Sequence, residues 1–177
     1  MYEKLYSLLP IDGIFSLFLF GSGGKVQKML HAIKYSNEPE LAYMLGRWMG
    51  SRLEEEGLQY TYDLIVPVPL HKSKLQKRGY NQSAYFAKGL GDHLGIAVDE
   101  HLVSRNTATE TQTRKTRLRR WHNVDTVFTV SKTDQVAGKR ILLIDDVITT
   151  GATIISCGKG LMDAGCSSLS LGAIASA

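Results

Sequence analysis

Residues 140–153 read RILLIDDVITTGAT, and the rest of the chain can be understood outward from them. The apolar run at 141–144 has the unbroken hydrophobicity of a strand covered on both faces, and it ends in two adjacent carboxylates, Asp145 and Asp146. Thr149, Thr150, Gly151, Ala152 and Thr153 come next, followed by a helical apolar pattern through Ile154, Ile155, Leu161 and Met162. A strand, an acid pair, a Gly/Thr turn and a helix start are together the parts of a phosphosugar site. Backbone N–H groups and the positive end of the helix dipole suit a phosphate dianion. The threonine hydroxyls add donors, and Gly151 lets the backbone turn tightly toward the ligand. Asp145 and Asp146 offer acceptors for a vicinal diol such as that of ribose. An ordinary strand-to-helix turn would explain Thr149 or Thr150 as an N-cap, but it leaves the doubled acid unexplained.

The bulk numbers fit one well-buried domain, since 177 residues are too few for two ordinary ones. Hydrophobic content of 44% and charged content of 21% are those of a soluble globular protein. A net charge of +4 suits an anionic small molecule as well as nucleic acid. Cys157 and Cys166 lack metal-ligand spacing and read as buried packing residues in a reducing compartment. The apolar stretch 14–20 is far short of the ~20 residues of a membrane helix. It also has no basic flank or small-residue cleavage site, so a cytoplasmic location is expected.

Periodicity predicts helices at 25–33 and from 39 to about 53, a buried strand at 62–68 and a loop at 71–80. A helix at 81–94, short strands at 100–104 and 126–130, a strand at 140–144, a helix at 152–164 and a last strand at 168–174 complete the pattern. Strands alternating with helices imply an α/β fold with a parallel sheet. Gly24-Lys25 is not a Walker A loop, because Val26 stands where Ser or Thr is required and Leu19 where the first glycine belongs. Ligands of open α/β sheets bind outside the carboxyl ends of the strands, which is where loops 67–80, 105–125 and 145–153 are expected to meet. Lys72, Lys74, Lys77 and Arg78 make the first of these basic. Residues 113–122, TRKTRLRRWH, hold six basic side chains in ten, open to reading as a helix face, a lid or a nucleic-acid patch with Trp121 for base stacking.

The 140–153 stretch closely resembles the 5-phosphoribosyl-1-pyrophosphate (PRPP) motif of type I phosphoribosyltransferases: four apolar residues, two acids, two residues, then TTGAT. Three further segments resemble the ComF-like (competence protein F) branch: Val66-Pro67-Val68-Pro69-Leu70-His71-Lys72, Arg78-Gly79-Tyr80-Asn81-Gln82, and Gln112 with Arg120-Trp121-His122-Asn123-Val124. The resemblance runs from Lys34 to about Ile174. It implies an open, mostly parallel sheet flanked by helices, forming one domain over 1–177 with residues 1–35 as a hood-like segment and 36–177 as the core.

The activity implied is transfer of a phosphoribosyl group from PRPP, with Mg²⁺, to a nitrogen acceptor with release of pyrophosphate. Asp145 and Asp146 would be the catalytic acids and, mostly through PRPP, the Mg²⁺ ligands. Thr149, Thr150, Gly151, Ala152 and Thr153 would grip the 5-phosphate, and His71, Lys72 and Arg78 would face the pyrophosphate. Arg114, Lys115, Arg117, Arg119 and Arg120 would belong to a lid that closes over the substrate. The hood recognises the acceptor in such enzymes, and residues 1–35 carry no signature of which one. Two other readings stay open. One is a binding or regulatory module of the competence type, with single-stranded DNA or a helicase as partner. The other is an amidophosphoribosyltransferase-like enzyme using ammonia, although nothing resembles a glutaminase domain and Met1-Tyr2 offers no cysteine nucleophile. A homodimer is compatible with each. ComF-like proteins usually open with a four-cysteine zinc segment; this chain has none, so no zinc is carried over.

Overall fold

A computed structural model of the chain describes residues 2–21, 23–105 and 127–177. In chain order the elements are α1 (Tyr2–Leu8), β1 (Gly13–Leu19), α2 (Lys25–Tyr35), α3 (Pro39–Glu55), β2 (Leu64–Pro67), α4 (Lys72–Arg78) and α5 (Gln82–Leu94). There follow β3 (Val103–Arg105), β4 (Phe128–Val130), β5 (Arg140–Ile148), α6 (Ala152–Asp163) and β6 (Ser168–Ser176). The main sheet has the order β1-β6-β5-β2 and every pairing in it is parallel, as the alternation of elements predicts.

Successive side chains of a strand point to opposite faces, and β5 divides its apolar run accordingly. Leu142 and Ile144 join Leu30 and Ile33 of α2, Leu45, Met49 and Leu53 of α3, and Phe86 and Leu90 of α5. Ile141 and Leu143 join Leu5 and Leu9 from the amino end and Ile154, Cys157 and Leu161 of α6. α5, the second helix after β2, therefore covers one face of the sheet together with α2 and α3, and α6, the helix after β5, covers the other. Between them a crevice opens at the carboxyl ends of these two neighbouring strands, the usual ligand position in open α/β sheets.

The structure departs from the sequence-based expectations in four places. The strand expected at 140–144 continues through both acids to Ile148, because β6 stays paired alongside (Asp145 with Ala173, Val147 with Ala175, Ile148 with Ser176). The segments 100–104 and 126–130 do not join the parallel sheet. Their strands β3 and β4 pair antiparallel with each other and bury Val103 and Phe128 in the α6-side core. The expected loop at 71–80 contains α4, which buries no residue and so shows no apolar periodicity. His71 caps it by accepting from the Ser73 N–H at 3.3 Å, and Gly79, at φ 82°, ends it in the left-handed region that glycine adopts freely. Finally, α1 precedes the first expected element, with Leu5 and Leu9 in the core.

At the end of the sheet opposite the crevice, Arg140 and Asp63 fix the start of β5 against β2. Arg140 donates from Nη2 to Asp63 Oδ1 at 2.7 Å, and from Nε (3.0 Å) and the backbone N–H (2.9 Å) to Oδ2. These bonds hold the Asp63 carboxyl well below the usual carboxylate range. Among the described residues no helix is long and apolar enough to cross a membrane.

The α3–α5 crossing is unusually close. A Cβ on Gly46 would stand 2.0 Å from the Phe86 carbonyl oxygen, and one on Gly89 would stand 2.0 Å from that of Tyr43. Both obstacles are backbone, so only a helix shift could relieve them. Gly46→Ala should lower the unfolding free energy in urea by about 2 kcal/mol, the middle of the overpacking range, despite alanine's better helix propensity. An unchanged or raised midpoint would show that the helices separate at little cost.

Candidate functional site

The site is built where β2 stops and β5 does not. The last β2 pairing is Pro67 with Ile144, and the Val68 N–H then donates to the Ile144 carbonyl at 2.7 Å. From Asp145 onward, β5 has β6 on one side and the crevice on the other. Asp145, Asp146, Val147, Thr149 and Thr153 line a cavity of about 450 Å³. Val68, Pro69, Leu70, Lys74 and Arg78 contribute from the segment after β2, Arg105 from β3, and Phe20 with Gln27, Leu30, His31, Lys34 and Tyr35 from β1's end and α2.

The two acids have different surroundings. Asp145 is half-buried; its Oδ1 accepts from Ser83 Oγ at 3.2 Å and from the Asp146 N–H at 2.8 Å. Burial is the main cause that pushes its carboxyl up, to about 7, with the neighbouring Asp146 charge second; the two hydrogen bonds and Lys34 oppose the rise. Asp146 instead meets the Lys34 ammonium, with Nζ 2.7 Å from Oδ2. Behind Asp145 lies Cys157, fully buried, whose thiol burial holds far above its ordinary value. It is a packing residue, as its sequence context suggests.

Thr149, Thr150, Ala152 and Thr153 are exposed at the start of α6. Gly151 has φ 76°, which only glycine adopts without strain, and a Cβ there would lie 2.3 Å from Leu5 Cδ2. The loop thus owes its shape to α1 as well as to its own sequence. Thr149 and Thr153 face the cavity, whereas Thr150 Oγ1 accepts from the Ala152 N–H at 3.4 Å.

Of the basic residues after β2, Arg78 lines the cavity and is anchored: Nη1 donates to Gln82 Oε1 at 2.6 Å, and the guanidinium lies 5.4 Å from the Tyr35 ring centre. His71 and Lys72 belong to the start of α4 and do not line the cavity; Lys74, one turn on, does. Among the described residues all peptide bonds are trans. The lid residues Arg114, Lys115, Arg117, Arg119 and Arg120 lie outside the described residues.

The segment Arg78-Gly79-Tyr80-Asn81-Gln82 joins the parts. Asn81 accepts from the Ser83 N–H at 3.1 Å, capping α5, and its Nδ2 donates to the Val68 carbonyl at 3.0 Å. The Tyr80 hydroxyl donates to the Ile33 carbonyl, so α2 is tied to the same corner. Lys34 and Ser83 escaped the sequence reading. A lysine after an apolar helical stripe looks solvated, and the Asn81-x-Ser83 cap signal says nothing of a carboxylate far along the chain. Among the described residues no group of three or more His, Cys, Asp or Glu could hold a metal by itself. The acid pair fits a divalent cation that arrives with a phosphorylated substrate, since Mg²⁺ needs only one or two carboxylates besides substrate oxygens and waters.

Comparison with known proteins identifies the family and the fold. Residues 81–177 match the model of the phosphoribosyl transferase domain family. The chain is 31% identical over 138 residues to the DNA utilization protein YhgH of Salmonella typhimurium, covering 76% of this chain and 60% of that protein. It is 35% identical over 105 residues to competence protein F of Haemophilus influenzae, covering 58% and 45% of the two chains. It therefore spans about 60% of the length of the YhgH relatives. Among solved structures, the allosteric regulatory enzyme of purine biosynthesis superposes with a TM-score of 0.58 at 20% identity, over 82% of this chain and 30% of that one. The glutamine PRPP amidotransferase of B. subtilis gives 0.57 at 20% identity, with the same coverage. Both share the fold.

The raised carboxyl of Asp145 has a consequence for stability. Its folded value exceeds the unfolded one, so its contribution is full below about pH 4 and is lost as pH rises through the folded value. Asp63 works in the opposite sense, but its loss lies at acid pH and leaves the neutral window unaffected. Between about pH 5 and about pH 8 the wild type should therefore lose at least about 2 °C more in Tm than Asp145→Asn, the equivalent of roughly 1 kcal/mol for this size. Parallel Tm curves would mean that solvent reaches Asp145 freely.

Proposed function

Because the chain belongs to the phosphoribosyl transferase domain family, in its competence protein F branch, we propose that it transfers the phosphoribosyl group of PRPP to a nitrogen acceptor, releasing pyrophosphate. The observation that carries this reading is a single cavity shared by the acid pair, the Thr149 and Thr153 side chains, the cations Lys74 and Arg78, and one face of α2.

In this reading the α6 start, with Thr149 and Thr153, holds the 5-phosphate and anchors the substrate away from the reacting carbon. Asp145 and Asp146 accept from the ribose hydroxyls and favour the positive charge that develops on the ribose as its C1–oxygen bond breaks. Lys74 and Arg78 stabilise the departing pyrophosphate, with preorganised charge in place of covalent help. Mg²⁺ bound with the substrate would rest on the acid pair and neutralise part of the pyrophosphate charge. Gln27, His31 and Tyr35, a helical turn apart on α2, line the side left for the acceptor. That wall supports an acceptor larger than ammonia.

A second reading, a module that binds PRPP or nucleic acid without turnover, draws on the relatives' names, DNA utilization protein and competence protein F. It also draws on a basic cavity beside the first, lined by Lys34, Tyr35, Asn37, Lys74, Lys77 and Arg78.

Pyrophosphate release from PRPP and Mg²⁺, screened across bases, amines and ammonia, separates the two. The transferase should release pyrophosphate with at least one acceptor. Asp145→Asn/Asp146→Asn should cut that rate about 100-fold or more, as loss of preorganised electrostatic groups does. Ribose 5-phosphate should still bind this variant through the α6 loop. PRPP binding without release for any acceptor would establish the module instead.

A further inference from the structure

Lys34 stands at the junction of two charge systems. Its ammonium is 2.7 Å from Asp146, and both side chains are largely shielded, at 25% and 16% exposure. It also lines both the main cavity and the neighbouring basic one, where Lys74 and Arg78 are its fellow wall residues. Its backbone position is fixed: Ile33, fully buried, precedes it, and the Ile33 carbonyl accepts from Tyr80. The four-carbon stem is the movable part, and its charge is a compact point suited to changing partners.

The ion pair does two things in the free protein. It neutralises one of two adjacent carboxylates, and it occupies the oxygen that a divalent cation or a ribose hydroxyl would need. A substrate carrying both a divalent cation and a pyrophosphate supplies a replacement for each partner. Asp146 would exchange the ammonium for the cation, and the ammonium would find a new anion in the pyrophosphate, beside Lys74 and Arg78.

We propose that Lys34 is an exchangeable counter-ion: it holds Asp146 in the free protein and moves to the pyrophosphate of the incoming substrate. Substrate binding and release of the acid thereby become one event. This rests on the reading of the cavity as a PRPP site. It makes Lys34 a ligand of the leaving group and a competitor of the metal, two roles that respond in opposite directions to its removal.

The chain, as wild type, Lys34→Gln and Lys34→Arg, should be titrated with Mn²⁺ alone, followed by its electron paramagnetic resonance signal. Calorimetry should follow Mg²⁺-PRPP and, separately, ribose 5-phosphate. For Lys34→Gln, Mn²⁺ alone should bind at least about 5-fold more tightly. PRPP should bind about 10-fold more weakly, the scale of one charge-assisted contact, while ribose 5-phosphate is unchanged. Lys34→Arg, which keeps the charge, should stay near wild type for all three. Mn²⁺ affinity that does not rise, or equal losses for PRPP and ribose 5-phosphate, would overturn the exchange and make Lys34 a structural tie of α2. If the wild type binds neither PRPP nor ribose 5-phosphate, the phosphoribosyl reading falls and the exchange with it.

Discussion

Unequal strand lengths at the centre of the sheet govern everything that happens at its carboxyl end. β2 leaves β5 at Ile144, whereas β6 follows β5 to Ile148. A strand with one neighbour still present and one withdrawn stays extended yet opens its free side to a cavity. Asp145 and Asp146 fall on that stretch, so their positions come from sheet hydrogen bonding and not from a loop. Sites on regular elements keep tighter geometry than sites on loops, and the Arg140–Asp63 bonds at the far end of the same strands fix the register that puts the acids there.

Around this strand the other parts are joined by single polar bonds from one short segment. Tyr80 reaches α2, Asn81 reaches the chain after β2, Ser83 reaches Asp145, and Arg78 is held by Gln82 and lies over Tyr35. Three parts separate in sequence, α2, the chain after β2, and β5, meet at the start of α5. None of these bonds needs to be strong to matter, because each removes a freedom that substrate binding would otherwise have to remove.

The central strand, the acid pair and the following helix were legible from the sequence because each follows a simple rule: an unbroken apolar run for a doubly covered strand, then a 3.6-residue period. α4 was not, since an exposed short helix buries nothing and leaves no pattern. The antiparallel pairing of β3 and β4 was hidden for a different reason: three-residue strands carry too little alternation to reveal their partner. Among site residues, those in the PRPP-like motif could be named from type and spacing. Lys34 and Ser83 could not, because each acts on a carboxylate far along the chain, a distance no local pattern encodes. The proposed pyrophosphate contacts fall between these cases, with Arg78 on the cavity wall and His71 and Lys72 at the outer end of α4.

The contact between Leu5 and the loop glycine bears on how the protein should be handled. Leu5 fills the space that Gly151 leaves by lacking a side chain, so α1 buttresses the loop before α6 from beneath. Any polypeptide fused ahead of Tyr2, such as an affinity tag, is joined to a seven-residue helix that supports this loop. A carboxyl-terminal tag follows β6, an interior strand whose last paired residue, Ser176, lies opposite Ile148 and Leu19. Chain added ahead of α1 or after β6 therefore emerges near the cavity, and a tag at either place is best cleaved before ligands are measured.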